Sequence, residues 1–84
     1  MNVGPPLKKL FLLTQTERRG YDTYDSVIVC ALSDSEARNI HPNTIVGWGS
    51  RSWCSSPDAV QVQHVGYAKT NVPVGVVLAS FNAG

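Results

Sequence analysis

Side chains able to recognise a nucleotide are concentrated between Glu17 and Asp25. The segment contains two arginines, two tyrosines and two aspartates: Arg18, Arg19, Tyr21, Tyr24, Asp22 and Asp25. Arginine forms bidentate hydrogen bonds to phosphate, and a tyrosine ring stacks on a base. Aspartate accepts hydrogen bonds from a base amino group or a ribose hydroxyl. The segment therefore fits a nucleotide site, and it fits equally a polar hairpin loop whose aspartates cap local turns.

A second candidate site combines two indole rings with a guanidinium group. Trp48, Arg51 and Trp53 lie within six residues of one another, on a segment that also contains Gly49 and several serines. Tryptophan and arginine are enriched at the energetic centres of binding surfaces. The alternative is that both indoles fold as a lid over an open sheet face and complete a small core.

Catalytic and metal-binding patterns are missing from the sequence. The nucleophile candidates are Cys54 and nearby serines, and the base candidates are His41 and His64. No GxSxG, HExxH, SxxK or P-loop pattern accompanies them. Cys30, Cys54 and the histidines also lack the short paired spacing of zinc ligands. We therefore predict a protein that is not an enzyme, with no metal and no cofactor.

Composition favours a folded globular domain with weak long-range electrostatics. Of its 84 residues, 43% are hydrophobic and 15% charged, and the net charge is +1. Such a charge gives little attraction to extended nucleic acid or to a membrane surface, so neither is an expected partner. The two cysteines have no CxxC spacing, and the start of the chain does not match a signal peptide. These features predict a cytosolic protein.

Two strands with apolar residues on both faces are expected in the first third of the chain. The first should start near Leu7, after an arm at residues 1–6 that Gly4, Pro5 and Pro6 keep out of regular structure. The second covers residues 27–31, VIVCA, and a polar loop at residues 15–23 joins the pair.

A short capped helix should follow over residues 34–40. Ser33 can accept a hydrogen bond from the amide of Glu36, and the Glu36 carboxylate can reach back to the amide of Ser33. Pro42 disfavours a helical conformation at the residue before it, so the helix ends by about Ile40 or His41. Ala37 and Ile40 should lie on its inner face.

Two more strands complete the prediction. A connection at residues 43–58 leads to a strand at 60–63, whose alternation changes phase near Gly66 as a bulge would cause. The last strand covers residues 74–81 and has apolar residues on both faces. The fold class is therefore α+β, one domain with a β-β-α-β-β order and a sheet of about four strands. A two-turn helix leaves one sheet face uncovered. We therefore expect either the connection at 43–58, called the tryptophan loop, or another subunit of a homo-oligomer to cover it.

Four segments give the chain a family resemblance. They are KLFLLTQ at 9–15, GYDTYDSVIVCA at 20–31, EARNIHP at 36–42 and GVVLASFNAG at 75–84. Together they resemble a group of small uncharacterised proteins encoded by bacteriophages. The resemblance extends over most of the chain outside the arm and the tryptophan loop, and it assigns no functional residue.

The resemblance implies a phage accessory protein that acts in the host bacterial cytoplasm, and proteins of this size often neutralise host immunity. Under one hypothesis, the protein sequesters a small nucleotide-type signal in a pocket at a subunit interface. Under another, it is an anti-CRISPR-like protein–protein inhibitor that docks its tryptophan loop or a strand edge on a host defence complex. A structural or regulatory phage protein is the third possibility.

Overall fold

One antiparallel sheet of four strands carries a single short helix on one of its faces. The computed structural model describes residues 7–83, so the predicted arm at 1–6 lies outside the described residues. The strands and helix are β1 (Lys9–Thr14), β2 (Thr23–Ala31), α1 (Asp34–Arg38), β3 (Gln61–Tyr67) and β4 (Gly75–Asn82). This architecture confirms the predicted α+β class and the β-β-α-β-β order. The connection at 43–58 also contains a 3-10 helix at Gly47–Gly49 and leads into another at Pro57–Ala59.

The strand order in the sheet is β3-β1-β2-β4, with every neighbouring pair antiparallel. The central strands β1 and β2 are apolar on both faces, but so is the edge strand β4, so this pattern alone does not assign a strand to the centre of the sheet. The 68–74 segment joins the two edge strands around one end of the sheet. Lys8 holds this segment in place, since its ammonium group donates to the carbonyls of Thr70, at 2.8 Å, and Val72.

Two strand boundaries differ from the sequence-based prediction. β1 begins at Lys9 and not near Leu7, and β2 begins at Thr23, four residues before the predicted start at Val27. The extension of β2 is paired with the end of β4, where Thr23 lies opposite Asn82. The sequence alone assigns this polar stretch to a loop. Hydrogen bonding to β4 makes it part of a strand.

Bulges adjust the register of both edge strands. In β3, Gly66 lies opposite Leu10 and His64 lies opposite Phe11, so Val65 is an extra residue between them. This confirms the bulge predicted near Gly66 and extends the strand from 60–63 to Gln61–Tyr67. Similar shifts place Val77 of β4 and Asp25 of β2 outside the paired register. Bulges increase the local twist of the strands that contain them.

Ser33 caps the helix as predicted, and the rest of the capping arrangement differs in detail. The Glu36 amide donates to Ser33 Oγ at 3.1 Å, while the Glu36 carboxylate accepts from the amide of Leu32, at 2.8 Å, and not from that of Ser33. The helix ends at Arg38, because the amides of Asn39 and Ile40 donate to carbonyls three residues earlier and not four. The predicted end near residue 40 is therefore two residues too late. Ala37 faces the core as expected.

Removing the Ser33 hydroxyl should destabilise the domain. Ser33→Ala leaves one helix amide without its acceptor, and we expect the free energy of unfolding to fall by about 0.5–2 kcal/mol. Urea unfolding followed by circular dichroism measures the loss. Ser35→Ala is the matched control, because the exposed Ser35 hydroxyl makes no hydrogen bond within residues 7–83. Equal midpoints for the two variants would show that Ser33 is not the cap.

The hydrophobic core lies between the helix-bearing face of the sheet and the 43–60 segment. Its sheet residues are Phe11, Leu13, Val27, Val29 and Ala31, and it is completed by Ala37, Trp53, Cys54 and Val60. Trp53 is 0% exposed and is the largest fully buried side chain in the described chain. The tryptophan segment thus lies on the same face of the sheet as the helix, so the expectation that it covers the opposite face is wrong. Trp53 does complete the core, and a second subunit on the opposite face stays a prediction.

The opposite face of the sheet is largely uncovered. Leu10 and Leu12 of β1 alternate with the buried core residues, and Ile28 of β2 lies opposite Leu78 of β4. The first three are half-buried, and Leu78 is 69% exposed. Cys30 is the exception, because the 68–74 segment covers it and brings the Val72 carbonyl within 3.8 Å of its sulfur. We call Leu10, Leu12, Ile28 and Leu78 the open face.

Candidate functional site

The two candidate loops predicted separately from the sequence lie against each other at one end of the sheet. Glu17 Oε1 accepts a hydrogen bond from the Ser55 amide at 2.8 Å, and the Tyr24 amide donates to the Ser52 carbonyl at 2.8 Å. These contacts join the arginine–tyrosine segment to the tryptophan segment. The Ser55 hydrogen bonds, with a smaller effect of Arg18, lower the pKa of the Glu17 carboxyl, so Glu17 stays ionised at neutral pH.

Gln15 fixes the shape of the loop between β1 and β2. Its side-chain carbonyl accepts from the Arg18 amide at 2.8 Å, and its amide group donates to the carbonyls of Arg18 and Tyr24. Gln15 is 5% exposed, so these bonds satisfy a polar side chain that would otherwise be costly to bury. The loop is therefore preorganised by a buried amide, and this role is not evident from the sequence pattern.

The two adjacent arginines have different surroundings. Arg18 is half-buried and lies 3.9 Å from Glu17 in the only ion pair found within residues 7–83. Arg19 is exposed and lines a cleft of about 430 Å³. The other residues of the cleft are Thr14, Gln15, Thr16, Asp25 and Gln61. We call this cavity the Arg19 cleft, and it combines one cation with hydroxyl, amide and carboxylate groups.

The remaining candidates of the first loop spread around the same end of the sheet. Tyr21 is 76% exposed, so its ring is accessible for stacking. Tyr24 is half-buried against the core, and its ring packs on Phe81 with centroids 4.8 Å apart. Asp22 is exposed and adopts a left-handed conformation with φ of 61°, which suits its predicted use in a turn. Tyr21 is therefore the stacking group that the structure leaves accessible.

The three candidate side chains of the tryptophan segment differ in solvent exposure. Trp53 is enclosed in the core, which makes it a structural residue in this conformation. Trp48 is half-buried and meets the His41 ring edge to face, with centroids 4.9 Å apart. Arg51 is exposed. Only Arg51 remains available to join the other loop in binding a ligand.

Neither Cys54 nor His41 is set up for catalysis. Burial raises the pKa of the Cys54 thiol, and the nearby negative charge of Glu17 raises it further, so the reactive thiolate is disfavoured. His41 is 6% exposed, and its Nδ1 accepts from the Asn43 amide at 2.9 Å. Burial lowers the pKa of His41 and keeps the imidazole neutral. Both side chains therefore belong to the packing around the tryptophan segment.

The lowered pKa of His41 predicts a loss of stability in mild acid. The unfolded chain takes up a proton near the ordinary pKa of 6.5, while the folded protein resists protonation until lower pH. The unfolding free energy should therefore fall as the pH drops below about 6.5. Urea unfolding at about pH 7.5 and about pH 5.5 measures the change. His41→Gln should lose this dependence, and a variant that keeps it in full would contradict the assignment.

A second groove lies on the helix-bearing face and was not expected from the sequence. It has a volume of about 370 Å³ and is lined by Lys9, Phe11, Ser33, Asp34, Val62 and His64. We call it the Lys9 groove. Its residues come from β1, β3 and the start of α1, so they are up to 55 positions apart in the chain. No local motif contains them, because strand pairing alone brings them together.

Within residues 7–83, no group of three or more histidine, cysteine, aspartate or glutamate side chains is placed to hold a metal ion. None of the helices described is long and apolar enough to cross a membrane. No protein-family model, curated protein or solved structure matches the chain.

Proposed function

We propose that this protein is a non-enzymatic binding protein that sequesters a small nucleotide-type ligand in the Arg19 cleft. The proposal is supported chiefly by one observation: Arg19 lines a 430 Å³ cleft and has no acidic partner within 4.0 Å among the described residues. An unpaired guanidinium beside hydroxyl and amide groups is suited to a phosphate and its attached sugar. In line with the phage resemblance, we propose a host bacterial cytoplasm as its place of action and a bacterial immune signal as its ligand.

Each part of a nucleotide has a suitable group near the cleft. Phosphate oxygens can accept from the Arg19 guanidinium and the Thr16 hydroxyl, which line the same cavity. The Thr14 hydroxyl donates to Gln61 Oε1 at 3.3 Å, and a ligand that uses either group would replace this contact. Asp25 and Gln61 offer acceptors for a sugar hydroxyl or a base amino group. Tyr21 provides an exposed ring on the same loop as Arg19, outside the lining of the cleft. We propose binding alone, without catalysis, as the role of this cleft.

A thermal-shift screen tests the proposal. A ligand present at about 100 times its Kd stabilises the folded protein by about 2.7 kcal/mol, so a binding nucleotide should raise the Tm clearly. The screen compares cyclic and linear nucleotides with inorganic phosphate and with the corresponding nucleosides. We expect a nucleotide to raise the Tm and its nucleoside to have less effect. A panel that leaves the Tm unchanged would count against a nucleotide ligand.

We further propose that two copies associate through the open face. Thr14 continues the alternation of Leu10 and Leu12, so it lies at one end of that face and also lines the Arg19 cleft. A second copy on the open face would cover Leu12, Ile28 and Leu78 and would narrow the mouth of the cleft. This arrangement explains how a small domain could enclose a ligand without a lid of its own.

The association should be sensitive to one charge on the open face. Leu78→Lys places an ammonium group where apolar contact is expected, and desolvating it costs several kcal/mol, so the oligomer should dissociate. Light scattering over a concentration series measures the mass. Ile45→Lys is the control, since Ile45 is 94% exposed and lies outside the sheet. A 9.1 kDa species at all concentrations in the unmodified protein would contradict the association.

A protein–protein inhibitor is the second candidate, and β4 is the observation that favours it. β4 is an edge strand, pairs only with β2, and has no charged residue between Gly75 and Asn82. Its Val77, Leu78 and Phe81 side chains are 46–69% exposed. Such an edge can accept a strand from another protein by β-sheet extension. If no nucleotide binds and Leu78→Lys abolishes binding to a host defence complex, this function replaces the first.

A further inference from the structure

The Lys9 groove contains two opposite charges that do not pair with each other. Lys9 and Asp34 both line it, and neither has an opposite charge within 4.0 Å in the described chain. Lys9 is half-buried on β1 and Asp34 is exposed at the start of α1. The groove shares no residue with the Arg19 cleft, so the two are separate candidate binding sites.

The rest of the groove is formed by Phe11, Val62, the His64 ring and the Ser33 side chain. Phe11 is 3% exposed and Val62 is half-buried, so together they supply an apolar floor. The His64 ring is held from two sides, with its centroid 5.4 Å from that of Phe11 and 5.1 Å from that of Tyr67. His64 Nε2 lies 2.9 Å from the Gly66 carbonyl oxygen. A carbonyl oxygen only accepts, so Nε2 is the donor in this contact.

The arrangement of charges restricts the ligand. An anion or a cation alone would leave one of the two charges without a partner. A zwitterion satisfies both, because its carboxylate can bind Lys9 while its ammonium group binds Asp34. The apolar floor then accommodates a hydrocarbon side chain. A volume of about 370 Å³ is sufficient for a molecule the size of one amino acid.

We propose that the Lys9 groove binds a free α-amino acid with an apolar side chain. The α-carboxylate pairs with Lys9, the α-ammonium group pairs with Asp34, and the side chain packs on Phe11 and Val62 beside the His64 ring. Occupation of this groove would be a second binding activity, on the helix-bearing face and independent of the Arg19 cleft.

The first test is a titration of the full chain, labelled with ¹⁵N, with L-leucine and with L-phenylalanine. Chemical shifts of the Lys9, Asp34 and His64 amides should move in a saturable way. Two analogues of leucine test the contribution of each charged group: 4-methylpentanoate lacks the ammonium group, and 3-methylbutylamine lacks the carboxylate. Each should bind at least about tenfold more weakly than leucine, as expected for the loss of one charge-assisted contact.

The second test uses matched variants. Lys9→Gln and Asp34→Asn should each weaken leucine binding at least about tenfold, while Lys69→Gln and Asp58→Asn, which remove exposed charges outside the groove, should leave it unchanged. Circular dichroism checks that all four variants remain folded. Two results would overturn the proposal: absence of saturable shifts up to about 10 mM of either amino acid, or leucine binding that Lys9→Gln and Asp34→Asn leave unaltered.

Discussion

Trp53→Ala should lower the free energy of unfolding by about 3–5 kcal/mol, the largest effect we expect from any single substitution. Trp53 is fully enclosed by core residues of the sheet and by Ala37, so truncation leaves a cavity that the short helix is poorly able to fill. A domain of 84 residues has a total stability of only about 4–13 kcal/mol. The loss would therefore remove a large share of that stability. Guanidinium unfolding followed by circular dichroism measures it.

Two further variants keep this prediction falsifiable if Trp53→Ala fails to fold. Trp53→Phe retains most of the ring volume, and the indole Nε1 has no hydrogen-bond partner among the described residues, so its loss should be smaller. Tyr21→Ala removes a ring that is 76% exposed and should change stability by less than about 0.5 kcal/mol. Similar unfolding midpoints for all three variants would show that Trp53 is not part of the core.

Gln15→Ala should destabilise the protein by about 2–3 kcal/mol and disorder the loop that positions Arg19. The substitution removes one acceptor and two donor contacts, leaving the Arg18 amide and the Arg18 and Tyr24 carbonyls without their partners. Urea unfolding measures the stability change. Amide hydrogen exchange should show a loss of protection at Arg18, because its hydrogen bond depends on Gln15 Oε1.

The control for this loop is Gln63→Ala. Gln63 is an exposed glutamine on β3, so its truncation should change the unfolding free energy by less than about 0.5 kcal/mol. Unchanged protection at Arg18 in Gln15→Ala would mean that the loop keeps its shape without the buried amide. In that case the preorganisation of the Arg19 cleft would need another cause.

Local signals in the sequence predict local structure well in this chain. The Ser33 cap follows from a serine three positions before a glutamate, and the bulge near Gly66 follows from a change in alternation; both are present. The start of β2 at Thr23 is not predictable in this way. Its residues are polar, and they are extended because Asn82, which lies 59 positions away in the chain, pairs with them.

Local sequence patterns do not predict how the segments of the sites pack against one another. The sequence identifies the two aromatic and arginine segments, but it cannot show that Glu17 meets Ser55 or that Trp53 is buried while Tyr21 is exposed. Tryptophans in a long connection fit a core and a binding surface equally well. The Lys9 groove was missed for a similar reason, since its charges lie on separate elements.

Calorimetric titration of matched variants tests the sequestration proposal most directly. A nucleotide selected by the thermal-shift screen should bind the unmodified protein and Lys69→Gln equally. It should bind Arg19→Gln at least about tenfold more weakly, because a charge-assisted hydrogen bond to phosphate is lost. Tyr21→Ala should weaken binding by about 1–3 kcal/mol if its ring stacks on the base. Equal affinity of the Arg19→Gln variant and the unmodified protein, or no heat of binding from any nucleotide, would contradict the proposal.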